Sequence, residues 1–225
     1  MKVNFNSLEV IRGLVDFISS YTKTQHINLT EAVNALKDLS EKNSLLFKKL
    51  CDDSLTRITA EDLSGLTRLR NYAFDGCVSL SYIEIPEEIT TIGDYCFYGC
   101  TNLDIPSLPD GAERFGANVF HNCKNLSLTR LPSSLNYIGS SVFYGCSNLK
   151  ITEIPRGVTT IGKSAFYNCT SLESITFKGT PSSIDRAIFS GCTNLKEINV
   201  PWAEGAVANA PWGATNAVIK YNCAI

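Results

Sequence analysis

Nine cysteines and two histidines are the residues of this 225-residue chain whose chemistry could support catalysis, metal binding or disulfide bonding. A histidine-based triad or a two-histidine metal site would need both His26 and His121, which lie in different regions of the sequence. No CxxC pair occurs, so the cysteines lack the spacing of a zinc site. GxSxG, HExxH and phosphate-loop patterns are also absent from the sequence. We therefore predict a protein that is not an enzyme and that uses no cofactor or metal.

Six of the cysteines recur at a fixed interval of 23 residues within the pattern Phe-x-x-Cys-x-x-Leu. A fixed period between about 20 and 50 residues indicates stacked units, each of which rests on its neighbours. Cysteines in one column of such a stack would face the core, and we interpret them as buried thiols that pack as small hydrophobic side chains. The repeated residues are Phe74, Phe97, Phe120, Phe143, Phe166 and Phe189, then Cys77, Cys100, Cys123, Cys146, Cys169 and Cys192, then Leu80, Leu103, Leu126, Leu149, Leu172 and Leu195.

One unit, residues 80–102, indicates the elements that position these columns. Its first six residues alternate between apolar and polar and include the β-branched Ile83 and Ile85, which predicts a short strand that a proline then ends. Ile89 and Ile92 follow as two inward-facing residues three positions apart. A helical turn or two would then carry Phe97 and end before Cys100.

The position before each repeated cysteine is restricted to glycine or asparagine, the two residues that best tolerate the left-handed conformation after a helix. The position before each repeated leucine is serine or asparagine, whose short side chains can bond the backbone of the adjacent unit. These two columns predict where each unit turns and how neighbouring units are joined. They comprise Gly76, Gly99, Asn122, Gly145, Asn168 and Gly191, and Ser79, Asn102, Asn125, Asn148, Ser171 and Asn194.

Three central units depart from the regular strand pattern. Their middle apolar residue is moved one position toward the N-terminus, to Ile105, Leu128 and Ile151, although the period is unchanged. We expect a local bulge or a flattened strand there, and a changed surface in the middle of the array.

The unit C-x-N/S-L-x-x-I-x-I-P-x-x-I-x-x-I-G-x-x-x-F resembles the BspA-like leucine-rich repeats of bacterial surface proteins over roughly residues 55–201. The resemblance implies an α/β leucine-rich repeat solenoid: a right-handed horseshoe with a parallel sheet on its concave side and short helices on its convex side.

The two ends fall outside the regular repeat, and we divide the chain into residues 1–50, 51–201 and 202–225. Apolar residues of the first segment recur with helical spacing, which predicts an N-terminal helical segment. It would be either a cap on the array or an oligomerisation and docking module, and NLTEAVNALKDL within it resembles stretches that precede adhesive domains in phage tail proteins. The last segment reads as a C-terminal cap with a degenerate repeat, in which Val218 to Cys223 would form an edge strand and Trp202 and Trp212 would cover the core.

Composition and charge argue against some classes of partner and some locations of the protein. The net charge is −2 and the pI is about 5.7, and no basic run is present, so a nucleic-acid partner is not expected. No stretch of 18 apolar residues could span a membrane. The N-terminus does not have the pattern of a signal peptide. A virion or a cell surface is the location that the resemblances favour, and a cytoplasmic location stays open.

Two surfaces are candidates for binding. The first is an outward column of the concave strands whose residue type changes at every step, which suits a recognition face and equally a merely solvated sheet. The second is an aromatic column that follows the repeated phenylalanines, where rings about 5 Å apart could grip a ligand or could instead shield the convex side. The first column is Glu84, Ser107, Arg130, Glu153, Thr176 and Asn199, and the second is Tyr98, His121, Tyr144 and Tyr167.

We therefore predict a binding or adhesion module that recognises protein or cell-surface glycan through its repeat surface, as a component of a phage virion or a bacterial surface. The alternative is a structural assembly protein. In that case residues 1–50 would form a homo-oligomer or dock onto a larger assembly, and the repeats would act as a spacer or decoration.

Overall fold

The computed structural model describes residues 55–224, with the exception of residues 64 and 106. Over this range the chain winds into a solenoid of stacked coils whose strands pair in parallel with their equivalents in the neighbouring coils. The pairing follows the sequence period: Leu69 lies opposite Ile92, and Ile92 lies opposite Phe115. Equivalent side chains therefore lie above one another, as the fixed spacing predicts.

Each coil can contribute strands to two sheets. The first sheet contains the strands predicted from the Leu-x-x-Ile segments and is divided into a pair, β1 with β3, and a group of four in the order β12-β11-β9-β7. Its strands are β1 (Arg57–Ile58), β3 (Tyr82–Ile83), β7 (Glu153–Ile154), β9 (Ser174–Phe177), β11 (Glu197–Asn199) and β12 (Val218–Lys220). The division falls at the shifted apolar residues, so the expectation of an altered strand there is confirmed.

The second sheet was missed by the sequence interpretation. Its six strands are continuous in the order β10-β8-β6-β5-β4-β2. Each strand is only two residues long, and four of the six end in the inward-facing residue before a turn glycine, so no alternating run indicates the sheet in the sequence. Its strands are β2 (Arg68–Leu69), β4 (Thr91–Ile92), β5 (Arg114–Phe115), β6 (Tyr137–Ile138), β8 (Thr160–Ile161) and β10 (Ser183–Ile184).

The prediction of short convex helices is wrong. The segments that carry the phenylalanines are successive turns, and the one helix of the described residues is the 3-10 helix Glu61–Leu63. Residues Tyr95 and Gly99, which flank such a segment, both have positive φ, at 57° and 70°, so too few residues remain between them for an α-helix. Alternate amides donate to the next coil instead, as Phe97 N does to Val119 O at 2.9 Å. We call this side of the solenoid the turn face.

The left-handed conformation predicted before each repeated cysteine is confirmed in all six units, with φ between 57° and 77°. The predicted polar ladder is confirmed at its four asparagines and is not formed by the side chains of Ser79 and Ser171 within the described residues. Asn125 Nδ2 donates to Asn102 O at 3.2 Å, and Asn102 Nδ2 donates to Val78 O at 2.9 Å. These side chains bond one coil to the next outside the two sheets.

The core is a continuous column of phenylalanine rings, from Phe74 to Phe189, with neighbouring ring centroids 5.3–5.7 Å apart. Beyond the last ring, Trp212 is fully buried and lies 6.2 Å from Trp202, and β12 pairs with β11 as an edge strand. The expected cover of the C-terminal end is therefore present. The predicted N-terminal helical segment lies outside the described residues, and the division into three segments stays a prediction.

The repeated cysteines do more than fill space. Each buried thiol from Cys100 to Cys192 donates to the carbonyl of the phenylalanine in the preceding coil, as Cys146 Sγ does to Phe120 O at 2.9 Å. Burial raises the pKa of the Cys100 thiol to about 12, which keeps it protonated and able to donate. Cys77 differs because it is held in a disulfide bond, so the interpretation of six free thiols is wrong at this position.

Candidate functional site

The aromatic column of the turn face forms a stack of half-buried rings. Ring centroids are 4.7 Å apart between Tyr98 and His121, 4.5 Å between His121 and Tyr144, and 4.7 Å between Tyr144 and Tyr167. The last two pairs are within 6° of coplanar. The structure thus brings these four predicted residues together at the expected spacing, each ring above its equivalent in the preceding coil.

Two further rings belong to this surface, and the sequence interpretation did not include them. Tyr72 and Tyr95 stack at 4.9 Å, and Tyr95 lies 5.6 Å from Tyr98 at a tilt of 43°. Their spacing of 23 residues was the available signal. We call the six residues, Tyr72, Tyr95, Tyr98, His121, Tyr144 and Tyr167, the ring strip.

The environment of His121 fixes its protonation state. Its Nδ1 lies 3.1 Å from Asn118 Oδ1, and burial between the flanking rings lowers the pKa of the imidazole below its ordinary value of 6.5. The neutral form of the histidine therefore predominates at pH 7.

The tyrosine hydroxyls of the ring strip carry unused hydrogen-bonding capacity. In the described part of the chain, the hydroxyl groups of Tyr98, Tyr144 and Tyr167 make no hydrogen bond to protein. A half-exposed ring with a free hydroxyl offers an apolar edge together with a donor and acceptor, a combination that is common at interfaces.

The other candidate column lies on the first sheet and its continuation, and several of its charges are already paired. Glu84 accepts from the hydroxyl of Tyr82 and lies 3.4 Å from the guanidinium of Arg57. The Tyr82 hydroxyl is the main cause of the lowered pKa of the Glu84 carboxyl. Arg57 also lies over the Tyr82 ring, 3.9 Å from its centroid. Glu84 is thus held within a local cluster.

The remaining members of this column behave in the same way, with one exception. Arg130 donates to both carboxylate oxygens of Asp110, at 2.7 and 3.3 Å. Glu153 pairs with Lys178 at 3.1 Å. Asn199 Nδ2 donates to Thr176 Oγ1 at 3.4 Å. Ser107 is exposed. A ligand on this column would have to compete with these internal contacts.

The described residues contain no group of three or more histidine, cysteine, aspartate or glutamate side chains placed to hold a metal ion. No helix in the same residues has both the length and the apolar character needed to cross a membrane.

Comparison with known proteins places the chain among repeat proteins. Residues 41–155 and 113–204 match the family described as BspA type leucine-rich repeat region, with six copies. A crystal structure of a leucine-rich repeat protein from Bacteroides ovatus is 36% identical, with a TM-score of 0.53, over 60% of this chain and 35% of that one. The T. pallidum leucine-rich repeat protein is 33% identical, with a TM-score of 0.57, over 64% of this chain and 72% of that one.

The matched region is about a third of the length of the B. ovatus protein. No curated protein matches the sequence. The matched family covers most of the chain, and both structural relatives are leucine-rich repeat proteins. This chain therefore belongs to the BspA-type leucine-rich repeat family.

Proposed function

We propose that this protein is a non-enzymatic recognition module that binds a protein or a cell-surface glycan through the ring strip. Leucine-rich repeat domains in general mediate protein interactions, and BspA-like members are often associated with a surface. The location that we propose is a bacterial surface or a phage virion. The observation that carries the proposal is the continuous, half-exposed stack of rings, whose centroids are 4.5–4.7 Å apart from Tyr98 to Tyr167.

The ring strip is favoured over the first-sheet column because of the state of its polar groups. The charged groups of that column are engaged by neighbouring side chains outside it, as in the bidentate contact between Arg130 and Asp110. Binding there would break existing contacts before new ones formed. The hydroxyls of Tyr98, Tyr144 and Tyr167 make no hydrogen bond to described protein groups, so a ligand can use them without such a loss.

The geometry of the ring strip also lowers the entropic cost of binding a ligand. Aromatic side chains supply large contact areas at a small cost in conformational entropy, and their stacking on one another restricts their motion before any ligand arrives. Because the rings repeat at the spacing of the coils, an extended ligand can meet several of them in sequence. Most of the affinity would then come from a few such rings.

The experiment compares Tyr144→Ala with Tyr137→Ala, which alters a half-buried tyrosine of the same coil on the second sheet. The intact chain and both variants are tested on a glycan array and on a panel of bacterial and epithelial cells. We expect Tyr144→Ala to weaken binding by about tenfold or more, as for an aromatic anchor, and Tyr137→Ala to leave it unchanged. Equal binding by all three proteins would remove the ring strip as the recognition surface.

A further inference from the structure

A groove opens in the first sheet where its interrupted part meets the regular part. The cavity has a volume of about 350 Å³, and three hydroxyl side chains line it together with Lys150, Glu173, Asn194 and Ile151. The hydroxyl side chains are those of Thr152, Ser171 and Ser174. The volume is within the range of small-ligand sites, about 300–1,000 Å³.

The groove coincides with a missing backbone hydrogen bond. At the equivalent position of other coils the amide donates to the preceding coil: Asp104 N to Ser81 O at 3.0 Å, Lys150 N to Leu128 O at 2.9 Å, and Lys196 N to Glu173 O at 2.9 Å. The amide of Glu173 makes no hydrogen bond within the described residues, and neither does the carbonyl of Lys150. A main-chain donor and a main-chain acceptor of two neighbouring coils are thus left without a hydrogen bond within the described residues.

The two coils are joined on both sides of this gap. Ser171 N donates to Ser147 O at 3.2 Å before it, and Thr176 N donates to Thr152 O at 2.9 Å after it. The gap is therefore a local interruption between two stretches of paired backbone, and its cause lies in the sequence. Ile151 takes the inward position one residue early, so the chain from Lys150 to Thr152 does not follow the strand geometry of Ser174–Phe177.

The charged side chains at the groove also lack an ion-pair partner among those of residues 55–224 that the structure describes. Lys150 and Glu173 are exposed neighbours of opposite charge in the same column, yet no ion pair joins them. By contrast, Lys178 and Glu153 pair at 3.1 Å between the same two coils. Both charged groups therefore remain available to a ligand on either side of the free main-chain groups.

We propose that this groove binds one neutral sugar residue of a glycan. Each hydroxyl of a sugar both donates and accepts, so neighbouring hydroxyls can bond to the Glu173 amide and carboxylate and to the Lys150 ammonium together. The charges of the groove cancel, which favours a neutral sugar over an acidic or basic one. The site extends the proposed recognition function to a second position on the repeat array.

A peptide is the less suitable occupant. Peptide anchors are usually apolar or aromatic side chains that fill a dry pocket. The groove contains no aromatic residue, and its one apolar side chain, Ile151, is 1% exposed and belongs to the core. The polar lining matches a polyhydroxyl ligand better.

The test is a titration of the intact, 15N-labelled chain with the methyl glycosides of glucose, galactose, mannose and N-acetylglucosamine. Concentrations up to about 50 mM cover the millimolar Kd values of weak single-site ligands. We expect at least one glycoside to shift the amide resonance of Glu173. The variants Lys150→Gln and Glu173→Gln should each weaken binding about tenfold, as for the loss of a charged hydrogen bond. The control Lys196→Gln, one coil further in the same register, should leave it unchanged.

A second variant tests the origin of the groove. The exchange Ile151→Thr/Thr152→Ile restores the regular Leu-x-x-Ile order of this unit. This exchange should allow the Glu173 amide to donate a hydrogen bond to the backbone of the preceding coil. The hydrogen exchange of that amide should then slow, and sugar binding should be lost. The equivalent exchange Leu128→Thr/Thr129→Leu, one coil earlier, should preserve binding.

Three results would overturn the proposal: no shift with any glycoside, binding unchanged in the Ile151→Thr/Thr152→Ile variant, or a shift produced by an extended Ser/Thr peptide and by no sugar. Whether the ring strip binds a ligand is tested separately, by the binding of Tyr144→Ala to cells and to the glycan array.

Discussion

The two sheets of the solenoid respond differently to the same 23-residue period. The second sheet is continuous across six coils, from β2 to β10, whereas the first sheet is interrupted between β3 and β7. The buried columns of phenylalanine and cysteine pass through both regions without a break. A fixed period thus secures the stacking of the coils, while main-chain pairing within a coil depends on the position of single apolar residues.

The difference has a local cause. In the interrupted coils the middle apolar residue occupies Ile105, Leu128 or Ile151, and these side chains are still buried. Burial of the displaced residue determines how the chain turns in each coil, and the hydrogen bonds of the ladder are lost there as a consequence. Ser127 N illustrates the compensation, because it donates to the carboxylate of Asp104 at 3.0 Å instead of to a backbone carbonyl.

The largest effect that we predict is on the periodic region. Phe143 is fully buried, stacks at 5.5 Å on Phe120 and at 5.4 Å on Phe166, and meets Phe115 of the second sheet edge to face at 6.3 Å. Phe143→Ala should lower the free energy of unfolding by ~3–5 kcal/mol, measured by chemical denaturation, because the rigid stack cannot close over the space.

The matched control for Phe143→Ala is Tyr144→Ala in the ring strip. Its ring is half-buried and stacks at 4.5 Å on His121, so its removal should destabilise the protein by less than half as much. A loss at Tyr144 equal to that at Phe143 would mean that the outer rings are part of the core.

The second prediction compares two leucines of one coil. Leu135 lies between Pro132 and β6 of the continuous sheet, whereas Leu128 lies in the interrupted part of the first sheet. Both are buried. Leu135→Ala should cost about 3 kcal/mol and Leu128→Ala about 2 kcal/mol, because backbone that is not fixed by a ladder can move into the space left by the side chain. Equal losses by chemical denaturation would show that the interruption does not loosen the packing.

The sequence was sufficient for the parts of the fold that repeat. The stacking of Phe97 on Phe120, the positive φ of Gly99 and the bond from Asn102 to the preceding coil all follow from residue type and spacing alone. The interruption of the first sheet could be located because Ile151 visibly breaks the pattern.

Other features could not be obtained from the pattern. The strand Thr91–Ile92 is too short for alternation to be seen, and the positive φ of Tyr95 is not expected of a bulky side chain. Because of that conformation, and because the amides of these segments donate to the next coil, turns form where convex helices were predicted. The groove at Glu173 depends on a missing hydrogen bond between two coils, which no single unit encodes.

The smallest effect concerns His121, which interrupts a column of tyrosines in the periodic region. Burial between Tyr98 and Tyr144 lowers the pKa of the imidazole below 6.5 in the folded protein, so the unfolded chain binds a proton more readily. The stability associated with His121 is therefore fully present above the unfolded pKa and is lost as the pH falls below about 6.5.

We expect the pKa of His121, measured by NMR titration of the intact chain, to lie below 6.5, and the free energy of unfolding to fall more steeply with acidification than in His121→Tyr. The variant completes the column with a ring that stays neutral over this range, so the contribution of His26 cancels in the comparison. A pKa at or above 6.5 would mean that the stack opens enough to hydrate the imidazole.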